Sequence, residues 1–489
     1  MKRREFFSHS ALGTVSFGWL AGASAGQPLL EPSLGTVSKS RRTDLGLFAS
    51  HFERLGKKPK NIIFVVSDGM SAGTLQLAEL FANVKFGRQT CWGQLCQQEG
   101  VSRAWMETYS ANSWVTDSAA ASSSWGGGIR VNNGSLNVGP KGERPTPILQ
   151  KFKQSGFSVG CVTSVPITHA TPAGFCVNHP TRDEQAKIAE MFLPLRFDCL
   201  LGGGLEFFQA ESREDKQPLL EMFRQQSYEV LTSKAGMNEV TDNNQPVLGC
   251  FYKSGIPYAM DHAQDESLVK SVPSLADMSE FAMKRMAKNP NGFVLQIEGG
   301  KVDWAAHAND TAGLIGDQLA LDEALQVALD FARESQDTLV IVTTDHGNAN
   351  PGLIGTSGAT KKFETLVNAR HTNAWIMEGL RFNWSIDEIR QRVQYAQGVE
   401  LSVEEATILY EHIAQLSESQ RGEPKKMPFA KLAQMQKLRT GIGWAGDDHS
   451  ADYVELTMFG PGSELLPQFV KNTDLHSFML AVTELIDLP

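Results

Sequence analysis

Short apolar runs that break off into glycine, acidic and histidine residues recur along this chain, and between them apolar positions return at helical spacing. Asn61-Ile-Ile-Phe-Val-Val66 has the pattern of a buried parallel strand; it ends in Ser67-Asp68-Gly69-Met70, and a helix is predicted from Thr74. Phe157 to Thr163 predicts another strand, opening into a loop that carries His169, Thr171 and Arg182. Phe293-Val-Leu-Gln-Ile297 runs into Glu298, Asp303 and His307, and Thr338 to Thr344 runs into Asp345 and His346. Between those two runs Leu314, Ile315, Leu319, Leu325, Ala328, Leu329 and Ala332 recur at helical spacing, so the segment predicts one βαβ unit with a right-handed crossover. Helices are also predicted over 278–287 and 475–486, and a strand over 453–459. From about Phe382 to Leu438 the pattern turns strongly helical and polar, as in an inserted helical subdomain, while 205–290 shows no motif. The whole predicts an α/β fold: a large central, mostly parallel sheet flanked by helices on both faces, with a helical insert.

A chain of 489 residues, 41% hydrophobic and 20% charged, is ample for a large globular core and is not a disordered composition. A net charge of -10 argues against a nucleic-acid-binding surface, which needs a lysine and arginine excess. Residues 1–25 stand apart: Lys2-Arg3-Arg4-Glu5-Phe6-Phe7, a modestly apolar run and Ala23-Ser24-Ala25 follow the order of a twin-arginine export signal. On that expectation residues 26–489 form one exported domain, periplasmic or secreted, with its helical insert at about 382–438. No other stretch reaches the roughly 18 apolar residues of a membrane span. Cys91, Cys96, Cys161, Cys176, Cys199 and Cys250 allow too many pairings for the sequence to choose, so free thiols and one or two disulfides are both open.

The chemistry gathers where strands end. In an open parallel sheet, ligands bind outside the carboxyl ends of the strands, and Asp68, Glu298, Asp303, His307, Asp345 and His346 all fall there. Asp303 and His307, four apart, share one face of a helical turn. Mixed nitrogen and oxygen ligands suit zinc, and all-oxygen sets suit magnesium. Two metals about 3.5–4 Å apart form the usual device for in-line displacement at phosphorus. Val115 to Trp125 adds a serine, Ser118, before a run of small residues suited to a helix N-terminus that approaches a ligand closely; Asp117 or Ser118 would cap that helix. A serine so placed and an arginine would complete the device.

Asp68-Gly-Met, Val115-x-Asp117-Ser118-Ala-Ala-Ala, His169-x-Thr171-Pro, Glu298-Gly with Asp303-x3-His307, Thr344-Asp345-His346 and a late His449 together resemble a bacterial alkaline phosphatase. The matches run in family order from Asn61 to Gly462, omitting the 205–290 region and the helical insert. The resemblance implies hydrolysis of phosphate monoesters with two zinc ions, one magnesium ion and a phosphoserine intermediate. Ser118 would be the nucleophile and Arg182 the clamp on the phosphate oxygens. Asp303, His307 and His449 would hold one zinc; Asp68, Asp345 and His346 would hold the other, to which Ser118 is bound when free. Asp68, Thr171 and Glu298 would hold the magnesium. His169 and Trp304 would stand just outside these ligands, at positions often acidic and basic in well-known bacterial forms. Ser122-Ser123 departs from the family's small residue and threonine. The implied partners are small phosphate monoesters, with a homodimer allowed. Sulfatases and phosphodiesterases share the two-metal core, but a sulfatase needs Cys-x-Pro-x-Arg at the nucleophile, which is absent. Ser118 with Arg182 favours monoesters over diesters.

Overall fold

The run Asn61–Ser67 is buried along its whole length, and its alternate side chains enter two different cores. Ile62, Phe64 and Val66 pack with Trp125, Phe175 and Phe478 on one side; Ile63 and Val65 pack with Trp92, Met278 and Leu325 on the other. A strand with no polar face needs helices over both faces of its sheet, and the arrangement has them. The computed structural model describes residues 48, 51–52, 54–241, 244–380 and 383–485. The expected export signal at 1–25 and residue 382, the expected start of the insert, lie outside them. Among the described residues no helix is long and apolar enough to cross a membrane.

Ten strands form the central sheet: β1 (Asn61–Ser67), β2 (Ser102–Glu107), β3 (Ser158–Pro166), β4 (Cys199–Gly203), β5 (Glu229–Leu231), β6 (Val247–Cys250), β7 (Phe293–Gly299), β8 (Thr338–Thr343), β9 (Val454–Phe459) and β10 (Phe469–Lys471). Their order is β10-β2-β9-β8-β1-β7-β3-β4-β6-β5. Every pairing is parallel except those of β9, which runs antiparallel to both β8 and β2. The predicted strand, helix and strand are present as Phe293–Gly299, Thr311–Ser335 and Thr338–Thr343. They are not sheet neighbours, however: β1 lies between β7 and β8 and pairs with each. An all-apolar strand gains most from two ladders and two covered faces, which puts β1 at the centre although it comes first in sequence.

The register sets the ends of the central strands level. Val66 pairs with both Glu298 and Thr343, and Thr163 pairs with Glu298, so β8, β1 and β7 finish side by side and β3 beside them runs on to Pro166. Beyond β8 the chain forms two short antiparallel ribbons, Gly347–Asn348 with His449–Ser450 and Gly352–Leu353 with Ile442–Gly443. From the second ribbon extend the helices Asn373–Gly379, Ile386–Gln397, Val403–Ala414 and Phe429–Thr440, starting before residue 382 and ending after 438. They pack around their own apolar cluster, in which Ile376, Ile389, Val393, Leu409 and Leu432 meet. Two of these helices start with reciprocal capping boxes, Ser385 with Glu388 and Ser402 with Glu405, a signal carried entirely by local sequence. All six cysteines are free thiols.

Candidate active site

The site is assembled at the carboxyl ends of β8, β1, β7 and β3. Asp68 follows β1, Glu298 is the penultimate residue of β7, and Asp345 and His346 follow β8. Asp303 and His307 occupy the short helix Lys301–His307 that leaves β7. His449 arrives from the far side of the helical insert, delivered by the ribbon that pairs it with Asn348. Gly69 adopts a φ of +68°, and a β-carbon there would lie 2.5 Å from Asp303 Oδ1, so only glycine lets the chain turn here and bring the two carboxylates together.

Three clusters result. Asp303, His307 and His449 converge: His307 Nε2 lies 3.6 Å from Asp303 Oδ2, His449 Nε2 3.5 Å from Asp303 Oδ1, and the two imidazole nitrogens 3.1 Å apart. Asp68, Asp345 and His346 form a fully buried second set, with His346 Nε2 3.1 Å from Asp345 Oδ2 and 3.7 Å from Asp68 Oδ1. The third brings Asp68 and Glu298 together with His169, whose Nδ1 is 3.6 Å from Glu298 Oε1 and 3.9 Å from Asp68 Oδ2. Thr171 Oγ1 is 3.5 Å from Asp68 Oδ2. Ser118 begins the helix Ser118–Gly126, and its Oγ lies 3.3 Å from His346 Nε2 and 3.5 Å from Asp68 Oδ1.

Four acidic side chains at such close quarters, all nearly or wholly buried, would repel one another without compensating positive charge. Burial, together with the charges of Asp345, Asp303 and Glu298, pushes the Asp68 carboxyl well above the usual carboxylate range. Burial would raise Asp303 too, but the hydrogen bond from His449 and the neighbouring histidines His307 and His346 outweigh it and hold its carboxyl far below that range. Asp345 is lowered in the same way: burial opposes, and the charge and hydrogen bond of His346 and the Gly69 amide prevail. Glu298 Oε1 and His169 Nδ1 are buried without a hydrogen-bond partner. An orphaned carboxylate oxygen among buried acids is what a cation would satisfy, and the imidazole and carboxylate groups of the three clusters are of the kinds that hold zinc and magnesium.

Outside the clusters, Arg182 reaches in from the loop after helix Ala170–Cys176. Its Nη1 donates to Asp117 Oδ2 at 3.2 Å and its Nη2 to His169 Nε2 at 3.0 Å. Burial would lower the guanidinium pKa, but the charges of Asp117 and Asp68 raise it further, so it stays a cation. Trp304 is not among the ligand candidates; its ring meets that of His169 edge to face, 6.3 Å between centroids.

Three interactions across the site are invisible to pattern reading. Asp117 does more than cap: while Oδ1 accepts from the Ala120 amide at 2.9 Å, Oδ2 accepts from the Gly134 amide and from Arg182. Thr163 donates to Glu298 Oε2 at 2.5 Å, and Asn348 donates to Asp303 Oδ1 at 2.7 Å. Of these only Asp117 left a sequence signal, its place just before Ser118. The departure at Ser122-Ser123 is accommodated, since Ser122 donates to the Ala170 carbonyl at 2.9 Å and Ser123 to the Ala119 carbonyl at 2.7 Å.

Comparison with known proteins finds alkaline phosphatases. The chain is 30% identical over 375 residues to alkaline phosphatase 4 of Bacillus subtilis (strain 168), covering 75% of this chain and 76% of that one. It is 31% identical over 345 residues to the alkaline phosphatase of Escherichia coli (strain K12), covering 61% of this chain and 72% of that one. The crystal structure of Thermus thermophilus alkaline phosphatase superimposes with a TM-score of 0.79 at 29% identity, covering 87% of this chain and 91% of that one. The alkaline phosphatase family model matches residues 59–485, a span that takes in all three clusters, Ser118 and Arg182, and the chain therefore belongs to the alkaline phosphatase family.

Proposed function

We propose that this phosphatase hydrolyses small phosphate monoesters through a phosphoserine at Ser118, with zinc held by Asp303, His307 and His449, zinc held by Asp68, Asp345 and His346, and magnesium held by Asp68, Thr171 and Glu298. When bound, the cations supply the positive charge that keeps an oxygen nucleophile deprotonated without a strong external base and offsets negative charge on the departing oxygen. The chain's own groups then do the rest. Asp68 and His346 fix the position of Ser118 Oγ, at 3.5 and 3.3 Å, at the N-terminus of a nine-residue helix whose free amides favour a phosphate dianion. Arg182 clamps two phosphate oxygens, its fork aimed by Asp117 and His169. Ser118 Oγ forms its bond to phosphorus as the ester P–O bond breaks and the alcohol leaves with a proton. Water then attacks phosphorus from the vacated side, the Oγ–P bond breaks, and inorganic phosphate departs while Ser118 recovers its proton.

The observation that carries this reading is the convergence of Ser118 Oγ on a buried carboxylate and imidazole that belong to the same ligand cluster. Turnover of p-nitrophenyl phosphate, beside a phosphodiester and a sulfate ester and with a chelator control, tests the reaction class. Acid quenching followed by peptide mass spectrometry tests the intermediate: phosphate is expected on Ser118, and phosphate on any other residue of the active enzyme would sink the assignment. The same reading has residues 1–25 export the folded chain to the periplasm or medium, tested by fusing them to a reporter and requiring that Arg3 and Arg4 be present.

A further inference from the structure

Lys301 opens the helix that carries Asp303 and His307, two residues of one candidate metal cluster. The residue is 6% exposed. Among the described residues its ammonium makes no hydrogen bond and no ion pair; its nitrogen lies instead 3.7 Å from the ring centroid of Tyr258 and 4.6 Å from that of Trp304. A buried ammonium is expensive unless something holds it. Here two aromatic faces do so; burial lowers its pKa to about 8, against the attraction of the carboxylates of Asp317, Glu378, Asp261 and Asp310, so below that pH it is mainly a cation. The chain at Gly255 closes over the pair so tightly that a β-carbon there would come 3.1 Å from Trp304 Cζ3 and 3.3 Å from Lys301 Cδ. The Trp304 ring in turn meets His169 edge to face, interplanar angle 74°, and His169 Nε2 accepts from Arg182 Nη2 at 3.0 Å.

We infer that Lys301 is a positioning residue for the phosphate clamp: its ammonium fixes the Trp304 ring, the ring fixes the imidazole of His169, and the imidazole holds Arg182 where phosphate oxygens can take its fork. The inference rests on the reading of Arg182 as the clamp. Removing the charge frees the ring to turn, and the imidazole loses the surface that sets its plane. Phosphate and substrate then bind less tightly, whereas the serine and the ligand clusters are left as they were.

The test uses the full chain with its metals bound at pH 7, where Lys301 is charged, with p-nitrophenyl phosphate as substrate and inorganic phosphate as competitive inhibitor. Lys301→Met keeps the stem without the charge, and Lys301→Arg keeps the charge. Lys301→Met is expected to raise the inhibition constant of phosphate and KM roughly three- to tenfold, the size of a cation–π contact, with kcat nearly unchanged and bound metal equal to wild type. Lys301→Arg should recover most of that. In an Arg182→Ala background Lys301→Met should add nothing, because the effect travels through the arginine. An unchanged phosphate inhibition constant, loss of metal that accounts for the change, or the same increment without Arg182 would each overturn the proposal. If Arg182→Ala itself leaves phosphate inhibition unaltered, the clamp reading fails, which is a different result. Should Lys301→Met not fold, Trp304→Leu carries the same comparison: its phosphate inhibition constant must rise only when Arg182 is present.

Discussion

At the scale of single residues, the proposed chemistry divides the work between Ser118 and Arg182, and the division can be measured. Ser118→Ala is expected to remove the covalent route and lower kcat by at least about three orders of magnitude, since nucleophile and metals act as a unit. The label trapped by acid quenching should disappear with it. Arg182→Ala should be milder, costing roughly 10- to 100-fold in kcat/KM, mostly as weaker binding, the worth of a charge-assisted fork. An arginine variant as inactive as the serine variant would contradict the division. His169 gives a metal prediction. Because Arg182 donates to Nε2, the ring proton sits on Nδ1, the atom that faces Glu298 and Asp68. A protonated nitrogen donates and does not ligate, so the pocket lacks the third negative charge that magnesium prefers. His169→Asp should therefore raise magnesium affinity by roughly ten- to hundredfold by titration calorimetry, and equal affinities would refute the argument. The strand-end residues were legible because an apolar run breaking into acid and histidine is a local pattern. Asp117 reaching Arg182, Thr163 reaching Glu298 and Asn348 reaching Asp303 were not, since each joins segments far apart in sequence.

At the scale of elements, the small residues of Ser118–Gly126 have a second purpose beside a ligand's close approach. This helix packs against Ala170–Cys176 so closely that a β-carbon at Gly126 would lie 1.9 Å from the Gly174 carbonyl oxygen, and one at Gly174 would lie 2.1 Å from Ser122 Oγ. Gly126→Ala should destabilise the protein by about 2–4 kcal/mol in denaturant titration, because backbone must move on both sides. A neutral result would mean that the two helices can separate freely. Since one helix begins with Ser118 and the other carries Thr171, the separation should also weaken activity. The sequence reveals the small residues but not the partner they admit. Strand existence follows from apolar runs; strand neighbours do not, and so β1 appears first in the chain yet sits between β7 and β8.

At the scale of the whole molecule, protons and metal compete for one site. Burial would lower the His449 pKa, but the hydrogen bond and charge of Asp303 outweigh it and raise it to about 9 in the metal-free chain. A histidine whose pKa is raised on folding stabilises fully below its unfolded value of about 6.5, and that contribution is lost as pH climbs through about 9. Metal-stripped protein should therefore lose thermal stability between those pH values, while the stabilisation gained by adding zinc grows over the same range as the proton leaves. A stripped protein whose Tm rises from pH 6.5 to 9 would refute this.

The ribbons at the root of the insert have a topological consequence. His346 directly precedes the first ribbon and His449 is one of its residues, so everything from Gly347 to Asp448 is a loop whose two ends meet at the ligand clusters. A cation held by Asp303, His307 and His449 would act as a removable cross-link, tying the end of that loop to the helix after β7 as a disulfide does, while the one held by Asp68, Asp345 and His346 would anchor its start. Closing a loop of about 100 residues is worth on the order of 4–5 kcal/mol in chain entropy. Demetallation should thus slacken the insert before the sheet: brief proteolysis of chelated protein is expected to cut between 352 and 443 and leave the strands β1 to β8 intact.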